Sequence, residues 1–351
     1  MRVVGLMSGT SLDGVDAAVI ETDGETVFAR GPSVSLPYDP ALRADLRRLL
    51  DRAPTLAADD PGLREAEARL TDRHIEAVRA LNAEAELIGF HGQTILHRPA
   101  ERRTWQIGDA ATLAAATGMR VVHDFRAADV AAGGQGAPFV PAYHAALAAG
   151  LPHPVLVLNI GGVANLTWID GATILACDTG PGNALLDDYC AQHIGEPMDR
   201  DGRLALAGSP DAAVLAGLLR HPFFARPAPK SLDRQDFAHA LAAVAHLAPA
   251  DAAATLAAFT AGAVAATKLP GMPARVLVTG GGRRNPAIMA ALSAHFACPV
   301  APVETAGWDG DALEAECFAF LAARSLRGLP LSYPGTTGVP HPVTGGRIHT
   351  P

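Results

Sequence analysis

Residues 3–20 read Val-Val-Gly-Leu-Met-Ser-Gly-Thr-Ser-Leu-Asp-Gly-Val-Asp-Ala-Ala-Val-Ile, and this stretch decides the fold. An apolar run enters a small, polar, glycine-bearing turn, and a second apolar run returns after Asp13-Gly14. Apolar runs flanking a D-G step are a strong hairpin signal, so residues 3–21 are expected to form a β-hairpin. The pattern recurs at residues 155–169, Val-Leu-Val-Leu-Asn-Ile-Gly-Gly-Val-Ala-Asn-Leu-Thr-Trp-Ile. A repeat of such long period indicates two similar domains rather than a solenoid, although apolar-glycine-apolar strings also arise by chance.

Working outward from the first hairpin, strands are expected near Val27–Ser35 and Glu86–His97. Between them Leu63, Ala66, Leu70, Ala77, Val78 and Leu81 fall at helical spacing within Pro61–Leu81. Asp109 is placed to cap a helix that ends at Gly118, ahead of a strand over Arg120–Phe125. In the second half Thr173–Cys177 reads as a third strand that ends at Asp178. Helices follow over Asn183–Ile194, Pro210–Leu219, Arg234–His246 and Pro249–Thr267. Arg275–Val278 reads as a buried strand, Thr279–Gly282 as a loop and Asn285–Phe296 as a helix. The last helix is expected over Asp311–Leu326. The segment Pro330–Pro351 reads either as a frayed tail or as a packed, irregular cover.

Composition narrows the function classes. The chain has 351 residues, 49% hydrophobic, enough for two domains with cores that need no disulfide or metal staple. A net charge of -8 leaves no basic footprint for nucleic-acid backbones. The start, MRVVGLMSGTSLDG, lacks a leader's apolar stretch, and no apolar run of about 18 residues suggests a membrane span, so a soluble, cytoplasmic protein is expected. Cys177, Cys190, Cys298 and Cys317 are scattered singly and read as buried free thiols. His91, His97 and His123 lack the tight spacing of a zinc site.

Glycine-bearing turns after strands let backbone N–H groups approach phosphate oxygens, because no Cβ intervenes. Such turns stand at Gly9–Gly14, Gly161–Gly162 and Gly280–Gly282. Each alone is equally a tight turn without a ligand, and neither the P-loop nor the dinucleotide fingerprint is present. Together, two hairpin loops and a third loop feeding a helix N-terminus would make a cleft for a nucleoside triphosphate.

The residues then become distinctive. The blocks are Gly5–Asp16 (GLMSGTSLDGVD), Phe90–Thr94 (FHGQT), His123–Arg126 with Asp129, and Gly133–Pro138 (GGQGAP). The second half adds Asn159–Asn165 (NIGGVAN), Asp178–Asn183 (DTGPGN), Val278–Gly282 (VTGGG) and Thr336–Gly338. In this order, from residue 3 to about 346, they resemble the anhydro-N-acetylmuramic acid kinases. The resemblance implies an α/β fold of two RNase-H-like (actin-like ATPase) domains with an active-site cleft between them. The division is expected as 1–130, carrying the sugar side and the first phosphate hairpin, and 131–351, carrying the second phosphate loop and the nucleoside site, with the last helix and tail open to crossing back. It further implies ATP and Mg²⁺ as partners of an amino-sugar substrate, in cell-wall recycling. Oligomeric state stays open, a homodimer included.

The implied reaction opens the 1,6-anhydro bridge with water at C1 while O6 attacks the γ-phosphorus. Asp178 is the expected base; the alternative is a cap on the helix near Asn183. Gly9, Thr10, Ser11, Leu12, Asp13, Gly14, Val15 and Asp16 match the nucleotide signature, with Asp16 otherwise a solvent-facing strand residue. Gly161, Gly162 and Asn165 are expected to form a facing loop, and Gly281 and Gly282 to approach the nucleoside. Where sugar kinases carry an aspartate at the end of the first strand this chain has Met7, and Asn159 in the repeat, so the metal ligands stay open. His91, Gln93, Arg126 and Asp129 are expected on the sugar, Arg126 bidentate to its lactyl carboxylate. His91 reads equally as a structural histidine, and Arg126 as a partner of Asp124 or Asp129. Glu314, on an otherwise apolar helix, is carried as a substrate-side carboxylate, while Glu316 there reads equally as exposed or as a paired or functional carboxylate. A nucleotide-switched binding module of the actin or Hsp70 kind, or another ATPase of that superfamily, is the alternative function.

Overall fold

The computed structural model describes residues 1–351 except Thr10 and Asp233 and the side chains of Arg234 and Gln235. The chain divides into two compact units, Met1–Leu147 with Ala312–Pro351, and Ala148–Asp311. The expected division after residue 130 therefore lies inside the first unit, and the chain returns to that unit at Ala312.

The first unit opens with β1 (Arg2–Ser8), β2 (Gly14–Thr22) and β3 (Val27–Pro37), followed by α1 (Pro40–Arg52) and α2 (Pro61–Ala80). Then come β4 (Leu87–Arg98), β5 (Arg103–Ile107), α3 (Ala110–Thr117), β6 (Arg120–His123), α4 (Ala127–Ala131) and α5 (Val140–Ala148). Strand propensity and alternation place β1 and β2 where the hairpin was expected. The Asp109 side chain accepts hydrogen bonds from the Ala111 and Thr112 N–H groups and caps α3, while Gly118 ends it in the left-handed region at φ +69°. The sheet runs β3-β2-β1-β4-β6, with β2 antiparallel to both neighbours and β4 and β6 parallel to β1.

The second unit holds β7 (Val155–Ile160), β8 (Val163–Asp170), β9 (Thr173–Pro181), α6 (Ala184–His193), α7 (Arg203–Leu206) and α8 (Ala212–Leu218). It continues through α9 (His239–Val244), α10 (Pro249–Ala265), β10 (Arg275–Thr279), α11 (Pro286–Ser293) and β11 (Val300–Pro302). The expected helix over Arg234–His246 is a 3₁₀ turn at Arg234–Phe237 and then α9. Its sheet runs β9-β8-β7-β10-β11, again with an antiparallel meander and two further parallel strands. The same order and sense in both units is the duplicated RNase-H-like arrangement that the two hairpin sequences announce.

The return segment contains α12 (Leu313–Leu326), α13 (Pro334–Thr337) and β12 (Arg347–His349). Helix α12 lies on β1, β2 and β4, on the face opposite the core formed with α1, α2 and α3. Two glycines admit it: a Cβ on Gly5 would stand 1.8 Å from the Ala315 carbonyl oxygen, and one on Gly89 2.0 Å from that of Phe318. The tail is a packed cover rather than a frayed end, since β12 pairs with β6 and the Thr337 hydroxyl donates to Asp129 at 2.6 Å. Glu316 is buried on α12 and accepts a 2.8 Å hydrogen bond from Tyr143, so of the places left open to it the structure gives the paired one. A carboxylate inside an apolar helix face needs such a donor. Cys177, Cys190 and Cys317 are buried and Cys298 half-buried, all as free thiols. Among the described residues no helix is long and apolar enough to cross a membrane.

Candidate functional site

In the second unit, a row of polar side chains crosses a largely apolar sheet. Thr279 of β10 pairs with Asn159 of β7, Asn159 with Asn165 of β8, and Asn165 with Asp178 of β9. Paired residues share a sheet face, and this row lies on the face opposite the core residues Leu158, Leu166 and Cys177. Asn159 and Thr279 join the expected Asn165 and Asp178, and the signal was a lone asparagine in the apolar run Val155–Ile160.

Asp178 does not end its strand. Strand β9 continues to Pro181, pairing Gly180 with Ala164 and Pro181 with Val163, and the ladder shifts register between Ala164 and Asn165. The Thr-Gly-Pro composition concealed this pairing, because the partner strand rather than local propensity sets the extended path. Helix α6 begins after Asn183, and Asp178 is not its cap. Its N–H donates to the Lys230 carbonyl at 2.9 Å, and its Oδ2 accepts from the Leu232 N–H at 2.8 Å. Burial pushes the carboxyl up to about 6, against the opposing pull of the Leu232 N–H and the Lys230 charge.

The two glycine loops of this unit meet at Asn183. Asn183 N–H donates to the Gly161 carbonyl at 2.7 Å and its Nδ2 to that of Ile160 at 3.1 Å. A Cβ on Gly282 would stand 2.2 Å from Ile160 Cγ2, and one on Gly281 3.1 Å from Asn183 Nδ2. Gly281 and Gly282 open a 3₁₀ turn, Gly281–Arg284, and the following helix α11 is capped by Asn285, whose side chain accepts from the Ala287 and Ile288 N–H groups. The Gly280–Gly282 loop thus leads, through this turn, to the helix expected from Asn285, whose side chain caps it.

In the first unit, the turn after β1 covers residues 9–13, and Thr10 lies outside the described residues. Leu12 stands in the left-handed region at φ +56° and donates its N–H to the Gly9 carbonyl. Leu12 and Val15 are fully buried in the core, so their side chains face away from any ligand of the turn. Gly14 starts β2, where a Cβ would stand 2.3 Å from the Leu36 carbonyl oxygen. Ser11 donates to Asp13 at 2.7 Å. Ser8, the last residue of β1, is bonded to Tyr38 and donates to Gln93 Oε1. Gln93 is wholly buried, and its oxygen braces the end of β1, where the first hairpin turns.

Arg126 and His91 are one unit. His91 Nδ1 bonds the Gly92 carbonyl at 2.7 Å, leaving Nε2 to accept from Arg126 Nε at 3.0 Å. Arg126 also donates to the Gly136 carbonyl at 2.6 Å. Burial, reinforced by the guanidinium, holds His91 well below the usual histidine range, as a hydrogen-bond acceptor requires. The expected partners of Arg126 are engaged elsewhere. Asp124 pairs with Arg347 at 3.0 Å, while buried Asp129 accepts from the Gly136 N–H and the Thr337 hydroxyl, each at 2.6 Å. Asp129 thereby ties the Gly133–Pro138 loop to the tail. A cavity of about 400 Å³ opens beside His91, lined also by Trp105, Gln106, His123, Asp124 and Arg347.

Glu314 lies in the first turn of α12 with its surface open to solvent. Crowding by surrounding protein pushes its carboxyl up, the Asp16 and Asp13 charges add to this, and Arg126 opposes it. Thus Asp13, Asp16, Glu314 and Arg126 share one electrostatic neighbourhood. Among the described residues no group of three or more histidine, cysteine, aspartate or glutamate side chains has metal-holding geometry.

The doubled sheet order, the glycine turn closing each first hairpin and the half-buried carboxylate on the second sheet define a two-domain actin-like α/β enzyme. The model of the family described as anhydro-N-acetylmuramic acid kinase matches residues 1–351. The chain is 64% identical over 354 aligned residues to the anhydro-N-acetylmuramic acid kinase of Acidiphilium cryptum, covering 100% of this chain and 99% of that protein. It is 56% identical over 367 to that of Nitrobacter winogradskyi, covering 100% of both. The chain belongs to the anhydro-N-acetylmuramic acid kinase family. Among solved structures it aligns with a ROK family glucokinase from Streptomyces griseus in complex with glucose and AMPPNP at 13% identity and TM-score 0.42, over 92% of this chain and 100% of that one, a likeness too distant to weigh further.

Proposed function

We propose that this protein is an ATP-dependent kinase, working in the cytoplasm, that opens 1,6-anhydro-N-acetylmuramic acid with water and phosphorylates O6 in cell-wall recycling. A water oxygen attacks C1 and its proton passes to Asp178. The C1–O6 bond breaks, O6 bonds to the γ-phosphorus, and ADP leaves with N-acetylmuramate 6-phosphate as product. The observation that carries the reading is Asp178 itself. It is a half-buried carboxylate whose pKa of about 6 leaves it ionised at neutral pH yet basic enough to take a proton. The neighbouring Asn165 and Asn159 offer neutral amides that hydrogen-bond a water or sugar hydroxyl without adding charge.

Phosphoryl transfer asks the protein chiefly for positioning and charge neutralisation. The turns at 9–14, 161–162 and 281–282 are assigned to ATP, and Arg126, held by His91, to the substrate carboxylate. Gln93 and Asp129 act from behind, fixing the loops that carry these contacts. Hard carboxylate oxygens suit Mg²⁺, and the mutual repulsion of Asp13, Asp16 and Glu314 is the electrostatic setting a cation relieves. Asp13 and Asp16 would hold it, directly or through water, and it would supply neutralisation of phosphate charge. ADP release measured with and without the anhydro sugar tests the whole reading. Release that requires the sugar is expected; sugar-independent release, or none, overturns it.

A further inference from the structure

The segment that grips Asp178 is itself anchored by a buried charge. Lys230 is only 6% exposed, and a lysine so buried requires compensation. Its Nζ donates to the Phe223 carbonyl at 3.2 Å and lies 4.3 Å from the centre of the Phe223 ring, a cation–π contact. Phe223 belongs to the 3₁₀ turn Pro222–Ala225, where His221 Nδ1 accepts the Phe223 N–H. Its ring packs among Phe224 and Phe237, at 5.8 and 6.0 Å between centroids. Leu232 packs on the same aromatic cluster. From this foundation residues 230–232 reach across to β9, one end accepting the Asp178 N–H and the other donating to its Oδ2.

We infer that Lys230 is a positioning residue for the reaction's base: its ammonium, seated on Phe223, holds the 230–232 strap that orients the Asp178 carboxylate. The inference deepens the assignment of Asp178 as base and rests on it. Lys230 does not touch substrate in this account. It acts through its backbone carbonyl, through the Leu232 N–H two residues on, and through its charge. The charged and titratable neighbours agree with such a role. Asp178 and Lys230 each stabilise the other's ionised form, Arg226 opposes the Lys230 charge, and burial pushes the Cys177 thiol up to about 11, leaving it neutral.

The test is the pH dependence of sugar-dependent ADP release by full-length Lys230→Met, Lys230→Arg and Phe223→Leu beside Asp178→Asn. Lys230→Met is expected to lower kcat at least tenfold at pH 7, leave KM for ATP within twofold, and move the acidic limb of kcat/KM up by about one pH unit. Lys230→Arg, which keeps the charge, is expected to return the limb to within a few tenths of wild type. Phe223→Leu, which keeps the carbonyl and removes the ring, is expected to move it the same way by less, and it carries the test if Lys230→Met does not fold. An unmoved limb in Lys230→Met or, in its place, in Phe223→Leu overturns the positioning role, and so does a Lys230→Arg limb displaced as far as that of Lys230→Met. An active, folded Asp178→Asn instead removes the base assignment itself, whatever the lysine variants do.

Discussion

The two sheets share an order but arm it differently. Near the turn of the first hairpin, Met7 pairs with Asp16 and Asp16 with Ser35; in the second, Asn159 pairs with Asn165 and Asn165 with Asp178. The first unit therefore carries its acid on the middle strand, in the company of Asp13, Glu314 and the cation Arg126. The second carries a single acid on the outer strand, flanked by neutral amides and held by a strap. A carboxylate among carboxylates is poised to share a positive ion, whereas one raised mainly by burial is poised to accept a proton. The two units thus share one scaffold, and the proposed division of labour rests on the different polar rows they carry.

The largest effect should come from Asp178→Asn. Removing the proton acceptor is expected to cost about 10³-fold in kcat, with ATP affinity by calorimetry little changed. Asp16→Asn should do the reverse, raising KM for ATP and its Mg²⁺ dependence more than lowering kcat. Identical phenotypes for the two would break the division of labour.

Next in size is a packing contrast. Gly89→Ala would drive a methyl into the Phe318 backbone and should destabilise the protein by about 3 kcal/mol or more, whereas Gly162→Ala, whose Cβ would stand 3.7 Å from Ala184 Cβ, should fold normally. Thermal melts by circular dichroism read both. A smaller effect sharpens the row. Asn165→Asp would place a second acid beside Asp178, giving the second unit the repulsion of the first, and should move the acidic limb of kcat/KM to higher pH by about one unit.

The smallest effect concerns stability. Because the folded-state pKa of Asp178 is raised to about 6 from 3.8, the folded protein binds this proton more tightly than the unfolded chain does. Its contribution to stability is therefore lost as pH rises from about 4 to 6, and the ionised carboxylate is a burden above that. Asp178→Asn should accordingly raise Tm at pH 7.5 by about 2–4 °C and have no such benefit near pH 4. A variant no more stable at pH 7.5 would contradict the burial that sets this pKa.

Much of this was legible in the chain. Alternation around Asp13-Gly14 and Gly161-Gly162 announced both hairpins, and Asp109 with Gly118 marked a helix at both ends, because these signals are local. The remainder was hidden where distant partners decide. Thr179-Gly180-Pro181 reads as a loop until Val163 and Ala164 are seen beside it, so Asp178 was placed at a strand end. Lys230 and Leu232, more than 50 residues from Asp178 along the chain, carry no local mark of their grip on it. Gln93 and Asp129 were expected on the sugar from their strand-end positions and the family blocks they sit in, and nothing local marked their hydrogen bonds to Ser8 and to Thr337. The return of the last helix to the first unit stayed open in the sequence, because Gly5 and Gly89 carry no local mark of Ala315 and Phe318, far along the chain, whose backbone they admit.

That separation has a consequence for biosynthesis. The second unit is continuous, so a growing chain can finish it before the stop codon is reached. The first unit is begun earliest yet must wait for α12, and until then the ribosome holds out a half-covered sheet with Gly5 and Gly89 uncapped. The order of completion is thus the inverse of the order of synthesis. Any chaperone that attends the nascent protein should dwell on its oldest part longest.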